Sequence, residues 1–203
     1  MNTGLAVVLG SVLALAFSTA EAETRRRDVY QGRVNVSDGD TLHMGADRLR
    51  IWGVDTPESD QVCFLNRQPV MCGEMARNEL AEFIGRRSVR CEYKDWNEGQ
   101  LGLYPPRAVV RCMVRGVDIG DWLISRGLAA PNYTPTYMHV GRLACEGKVG
   151  LWAGAWANPA DWRRRRFNAP KGFGAQSGTS CRRAFQVIQQ RMERYSRHSR
   201  AGY

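Results

Sequence analysis

Five acids fall within the 22 residues from Ser37 to Glu58, "SDGDTLHMGADRLRIWGVDTPE": Asp38, Asp40, Asp47, Asp55 and Glu58. Two arginines, Arg48 and Arg50, stand among them. Asp40 opens the strand-like run "TLHM", and Asp55 follows the run "RLRIWGV". In a meander those two ends lie on neighbouring strands, so the carboxylates can converge. Two convergent carboxylates suit a hard cation with oxygen ligands, Ca2+ or Mg2+. Glu58, held by Pro57, is placed to orient or deprotonate a water beside such an ion. The Arg50 guanidinium can grip a phosphate with two N–H donors and neutralise charge in a phosphoryl-transfer transition state. Acids for a cation and a water, with arginine for a phosphate, form a phosphodiesterase constellation. Taken singly, each piece has a plainer reading: DGD is an ordinary hairpin turn, and DTPE an ordinary helix start.

The flanking sequence supplies a scaffold. Residues 28–36, "DVYQGRVNV", have strand composition. With "TLHM" and "RLRIWGV" they predict a three-stranded meander, punctuated by Gly39, Gly45 and the acids. Residues 61–73 read as a loop bounded by Cys63 and Cys72. Met75, Ala76, Leu80, Phe83 and Ile84 form a helical stripe over 74–87. "SVRCEYK" (88–94) and "RAVVRCMV" (107–114) read as two further strands, and "GVDIGDWLISRGLAA" and "TYMHVGRLACEGKVGLW" as two further helices. Five strands with a helix between the third and fourth is the connectivity of an OB-type barrel, an architecture that binds oligonucleotides and oligosaccharides. Trp52 and Trp152 are core candidates. Residues 153–180 read as an irregular linker, and Phe185, Ile188, Met192 and Tyr195 predict an amphipathic helix over 181–197.

The chain of 203 residues opens on an apolar run of 13, Leu5–Phe17, followed by "STAEA". The run is too short to span a bilayer and fits a signal peptide over residues 1–22. The expected location is therefore periplasmic or secreted, with no stable membrane association after cleavage. Six cysteines behind an export signal read as disulfides. Cys63 and Cys72 bracket one short loop. Cys91 and Cys112 lie on consecutive strands whose midpoint falls inside the connecting loop, which lets them face each other. Cys145–Cys181 is the remaining pair. The net charge of +9 is concentrated in residues 161–203, which hold eleven basic residues against Asp161 and Glu193. Such a tail suits a polyanionic partner, and the run Arg163 to Arg166 is placed to track a phosphate backbone.

The pieces "VSDGDTL", "RLRIWGVDTPE", "RAVVRCMVRGVDIGDWLISRGLAA" and "GLW" resemble the staphylococcal nuclease-like (thermonuclease) family, across about residues 28–156. The resemblance implies an α+β fold, a five-stranded OB-type barrel with three helices, with residues 157–203 as a basic C-terminal extension. It implies Ca2+ held by Asp40, Asp55 and the backbone carbonyl of Thr56, with Asp38 beside the metal. It further implies Glu58 as general base, Arg50 and Arg107 on the scissile phosphate, and Tyr133 lining the nucleotide pocket. The activity implied is Ca2+-dependent, sugar-nonspecific endonucleolysis of DNA and RNA by a monomer, leaving 3′-phosphates. One departure stands out: the family's Asp-x-Tyr-Gly-Arg turn is replaced by "LGLYPPR", where Pro105 and Pro106 remove backbone donors ahead of Arg107. Two other readings remain, a non-catalytic OB-fold module that binds nucleic acid and an envelope interaction protein that uses its tail.

Overall fold

The computed structural model describes residues 28–97, 107–164 and 173–201. The signal peptide expected at residues 1–22 and the residues Pro105 and Pro106 lie outside them. The fold is α+β. Its main sheet contains β1 (Val29–Gly32), β2 (Asn35–Asp38), β3 (Thr41–Met44), β4 (Asp47–Ile51), β8 (Val89–Asn97) and β9 (Arg107–Val114), in the order β1-β8-β9-β4-β3-β2. A short β10 (Val117–Asp118) adds to β9. The β2-β3-β4 meander is antiparallel, whereas β4 runs parallel to β9. The segment expected as one first strand is two. β1 pairs with β8 at one edge of the sheet and β2 with β3 at the other. Arg33 and Val34 alone separate them, so the sheet must curve until its edges lie within about 11 Å, the reach of three residues.

Side-chain alternation decides which face is core. Along β9 every second residue is buried, and Ala108, Val110, Cys112 and Val114 point inward. They meet Leu42, Leu49 and Ile51 of the meander, Ala76, Leu80 and Ile84 of α1 (Cys72–Ile84), and Ile119, Leu123 and Ile124 of α2 (Ile119–Ser125). α1 buries Cys72, Ala76, Leu80 and Ile84 at intervals of one helical turn, and it ends at Gly85 with φ +56°. Asp118 caps α2 by accepting from the N–H groups of Gly120 and Asp121.

Residues 61–73 form more than a loop. β6 (Val62–Leu65) and β7 (Gln68–Met71) make a hairpin whose two central residues, Asn66 and Arg67, have φ of 49° and 63°. Left-handed backbone at both positions matches the right-handed twist of the paired strands. The segment read as a linker is also structured. α4 (Pro159–Arg163) lies within it, and Trp156 and Phe173 are buried. They join Trp152, Cys63 and Cys72 in a second core. α5 (Cys181–Ala201) adds Ala184, Phe185, Ile188 and Met192 to that core. Phe185 and Trp152 stack with centroids 5.7 Å apart, so the basic extension has an apolar face packed on the rest of the chain. Ile188→Val is accordingly expected to lower stability by about 0.5–1.5 kcal/mol in chemical denaturation, the cost of one buried methyl group and the gap it leaves. No change would mean that α5 contributes nothing to the fold.

Three disulfides cross-link the chain, in the pairs expected: Cys63–Cys72, Cys91–Cys112 and Cys145–Cys181. Cys91 and Cys112 stand directly opposite in the β8–β9 ladder. The third bond ties α3 (Met138–Glu146) to the first residue of α5. Three such bonds fit a protein of an oxidising, extracellular compartment. Among the described residues no helix is long and apolar enough to cross a membrane.

Candidate active site at the ends of the meander

The DGD turn joins β2 to β3. The Asp38 carboxylate accepts the Asp40 N–H at 3.0 Å, which closes the turn on itself. Gly39 sits against Thr56, and a Cβ there would lie 2.7 Å from Thr56 Oγ1. The turn can therefore approach residues 55 and 56 only with glycine in its middle. Gly39→Ala is expected to cost about 1–3 kcal/mol of stability in thermal denaturation, because the turn or Thr56 must move apart. Unchanged stability would mean that the turn and residue 56 are not in register.

β4 brings Arg50 opposite Thr41, one residue from Asp40. β5 (Val54–Asp55) places Asp55 opposite Ala130 of β11 (Ala130–Pro131). Arg50 bridges the two acids: Nη1 donates to Asp40 Oδ1 at 2.8 Å, and Nη2 donates to Asp55 Oδ1 at 3.3 Å. All three side chains are almost fully buried. The carboxylates thus converge on one point. Burial raises the Asp40 pKa to about 7, and the charges of Asp38 and Asp55 push the same way against the opposing pull of Arg50. For Arg50, burial opposes the charged form, yet Asp40 and Asp55 raise its pKa above the ordinary value.

Arg107 opens β9, next to β4, and its Nη1 donates to Thr41 Oγ1 at 3.4 Å. Its pKa is lowered, first by burial and then by the nearby Arg50 charge. Arg107 thus stands on the strand beside that of Arg50, within range of its charge.

Glu58 follows β5 and is half-buried. Its N–H donates to Gln61 Oε1 at 3.2 Å, and its carbonyl accepts the Gln61 N–H at 2.8 Å. Gln61 is fully buried and donates from Nε2 to the Ala157 carbonyl at 2.9 Å. Gly73, in the first turn of α1, backs this loop, and a Cβ there would fall 1.8 Å from the Glu58 carbonyl oxygen. Tyr133 is exposed at φ +62°, and its ring contacts Tyr195 of α5 at 4.8 Å.

Three contributors escaped the sequence reading. Gln61 lacks any motif. Asn132, beside Tyr133, donates from Nδ2 to Asp55 Oδ2 at 3.2 Å. Arg163, the last residue of α4, pairs with Asp55 at 3.2 Å and with the Glu58 carboxylate. The sequence places it in an arginine run expected to track a phosphate backbone. Instead it reaches Asp55 and Glu58 while staying partly exposed; Arg164 is exposed too, and Arg165 and Arg166 lie outside the described residues. Nothing in the run's spacing marks its first member as the inward one.

The arrangement can hold a small cation between carboxylates, an anion between two arginines, and a water against Glu58. No family model matches the chain. The succinoglycan biosynthesis protein ExoI of Rhizobium meliloti (strain 1021) is 30% identical over 150 residues, which cover 71% of this chain and 74% of that protein. At that identity and coverage, this chain belongs to the family of ExoI.

Proposed function

We propose that the chain is an exported, Ca2+-dependent phosphodiesterase of the staphylococcal nuclease-like kind, cleaving DNA and RNA internally. The observation that carries this reading is the Arg50 bridge, which gathers Asp40 and Asp55 at one point beside Arg107. The finer fold belongs to the same proposal: the curved sheet closes as an OB-type barrel, its first strand split into β1 and β2 to serve both edges. Export through a signal peptide at residues 1–22, to the periplasm or medium, is part of it too.

The donor set fits Ca2+. Among the described residues no group of three or more His, Cys, Asp or Glu forms a metal cage. Two carboxylates and the Thr56 carbonyl are a sparse set of oxygen donors, completed by water in a site of modest affinity. When bound, the ion supplies Lewis-acid polarisation of a phosphate oxygen. The chain's own residues do the rest. Arg50 has five N–H donors, and the contacts to Asp40, Asp55 and the Val54 carbonyl take three. The remaining donors, with Arg107, can hold the scissile phosphate. Glu58 takes a proton from water as the water oxygen bonds to phosphorus. The P–O bond to the 5′ oxygen breaks, that oxygen leaves as a hydroxyl after taking a proton from solvent, and a 3′-phosphate remains.

The experiment is digestion of single-stranded DNA, duplex DNA and RNA by purified protein, in Ca2+ and in chelator. Cleavage in Ca2+ alone is expected. No cleavage with any divalent ion would favour the second reading, a non-catalytic OB-fold module that binds nucleic acid. That reading draws support from Arg163, which occupies the Glu58 carboxylate. The name of the relative points to succinoglycan biosynthesis, so succinoglycan belongs in the same assay as a competitor.

A further inference from the structure

Arg163 is held over the acid cluster by a folded frame. Asn158 caps α4 by accepting the Ala160 N–H at 3.0 Å. Trp162 Nε1 donates to Asp60 Oδ1 at 2.9 Å, which fastens α4 to the Glu58 loop. Arg191 of α5 donates to Asp161 Oδ2 at 2.6 Å and also to Asn158. α5 is fixed in turn by the Cys145–Cys181 bond and by the contact of Tyr195 with Tyr133. From this frame Arg163 reaches both Asp55 oxygens, Nη1 to Oδ1 at 3.2 Å and Nη2 to Oδ2 at 3.4 Å, and it pairs with Glu58 as well.

A guanidinium covering both Asp55 oxygens stands where a divalent ion would have to coordinate. Two cations cannot use the same oxygens at full strength, because each repels the other at short range. We propose that Arg163 is a tethered competitor of the divalent cation. It satisfies Asp55 and Glu58 when the metal is absent, and it must release them before the metal can take Asp55 and Glu58 can accept a proton. This rests on the cation site proposed at Asp40 and Asp55. It gives the C-terminal extension a role at the site: α4 and α5 set metal affinity through one side chain.

The test is Ca2+ titration by calorimetry without nucleic acid, on the exported chain with its three disulfides intact. Arg163→Gln is expected to bind Ca2+ about 10-fold or more tightly than the parent, on the scale of removing one competing charge-assisted contact. Arg163→Lys should fall between, since an ammonium keeps the charge but loses the fork. In chelator, Arg163→Gln should melt below the parent, and added Ca2+ should raise its melting temperature by more, because the ion stabilises in proportion to its affinity. Arg191→Gln loosens α4 without touching the acids and should shift affinity in the same direction. An Arg163→Gln affinity within twofold of the parent would overturn the proposal, and so would absence of Ca2+ binding by both proteins. The nuclease reading is judged separately by cleavage: tighter Ca2+ binding without digestion would remove that reading and leave this one.

Discussion

The Glu58→Gln variant is expected to fold, bind nucleic acid and cleave it about 10²–10⁴-fold more slowly, the range for loss of a general base. Glutamine keeps the shape and the half-buried position of Glu58. The backbone bonds to Gln61 that set the loop do not involve the carboxylate and should survive. What is lost is the proton acceptor. The variant also loses the charge that pairs with Arg163, but Asp55 still holds that guanidinium. Stability should therefore change little, and the loss should appear in turnover and not in binding. The check is initial cleavage rate at saturating substrate beside an equilibrium binding curve. A rate within a few-fold of the parent would remove Glu58 from the chemistry.

Arg50→Ala is expected to lower unfolding free energy by about 3–5 kcal/mol, the cost of breaking a buried ion pair by removing one partner. The burden falls unequally on the two acids. Asp55 keeps Asn132 and Arg163. Among the described residues Asp40 keeps the short-range bond from the Thr41 hydroxyl, beside the more distant Arg107 charge. Adding Asp40→Asn to Arg50→Ala should therefore recover a large part of the loss, as a double-mutant cycle in chelator would show. Activity should fall as well, by about 10²–10³-fold, if the guanidinium also neutralises transition-state charge. A denaturation midpoint equal to the parent's would mean that the bridge is not formed in solution.

Much of the site's placement was legible from alternation and spacing. The runs after the DGD turn and before DTPE are short and strand-forming, and turn residues bound them, so Asp40 and Asp55 had to fall at strand ends. The position of Cys91 opposite Cys112 followed from the midpoint of the intervening loop, because an antiparallel register is fixed by a single pair. The stripe Phe185, Ile188 and Met192 announced a buried helix face; its fourth member, Tyr195, leaves the core to meet Tyr133.

What stayed hidden depends on contacts made far along the chain. The β6–β7 hairpin turns on Asn66 and Arg67, neither of them the glycine that usually advertises left-handed backbone. Trp156 and Phe173 sit in a segment rich in glycine and proline, yet they pack together with a centroid distance of 5.6 Å. Local composition cannot report that burial. Arg163 meets Asp55 across 108 positions of sequence, and only the docking of α4 by Arg191 and Trp162 turns it inward. Gln61 and Asn132 are likewise single polar residues whose value lies in what the fold puts beside them.

In the proposed reaction water attacks phosphorus at this site and the 5′ oxygen leaves. The most direct measurement is the chemistry of the new ends when a labelled oligonucleotide is incubated with the protein and Ca2+. Internal fragments bearing 3′-phosphates are expected, formed with Ca2+, absent in chelator and strongly reduced with Glu58→Gln. An intact oligonucleotide, or fragments bearing 3′-hydroxyl and 5′-phosphate ends, would contradict it.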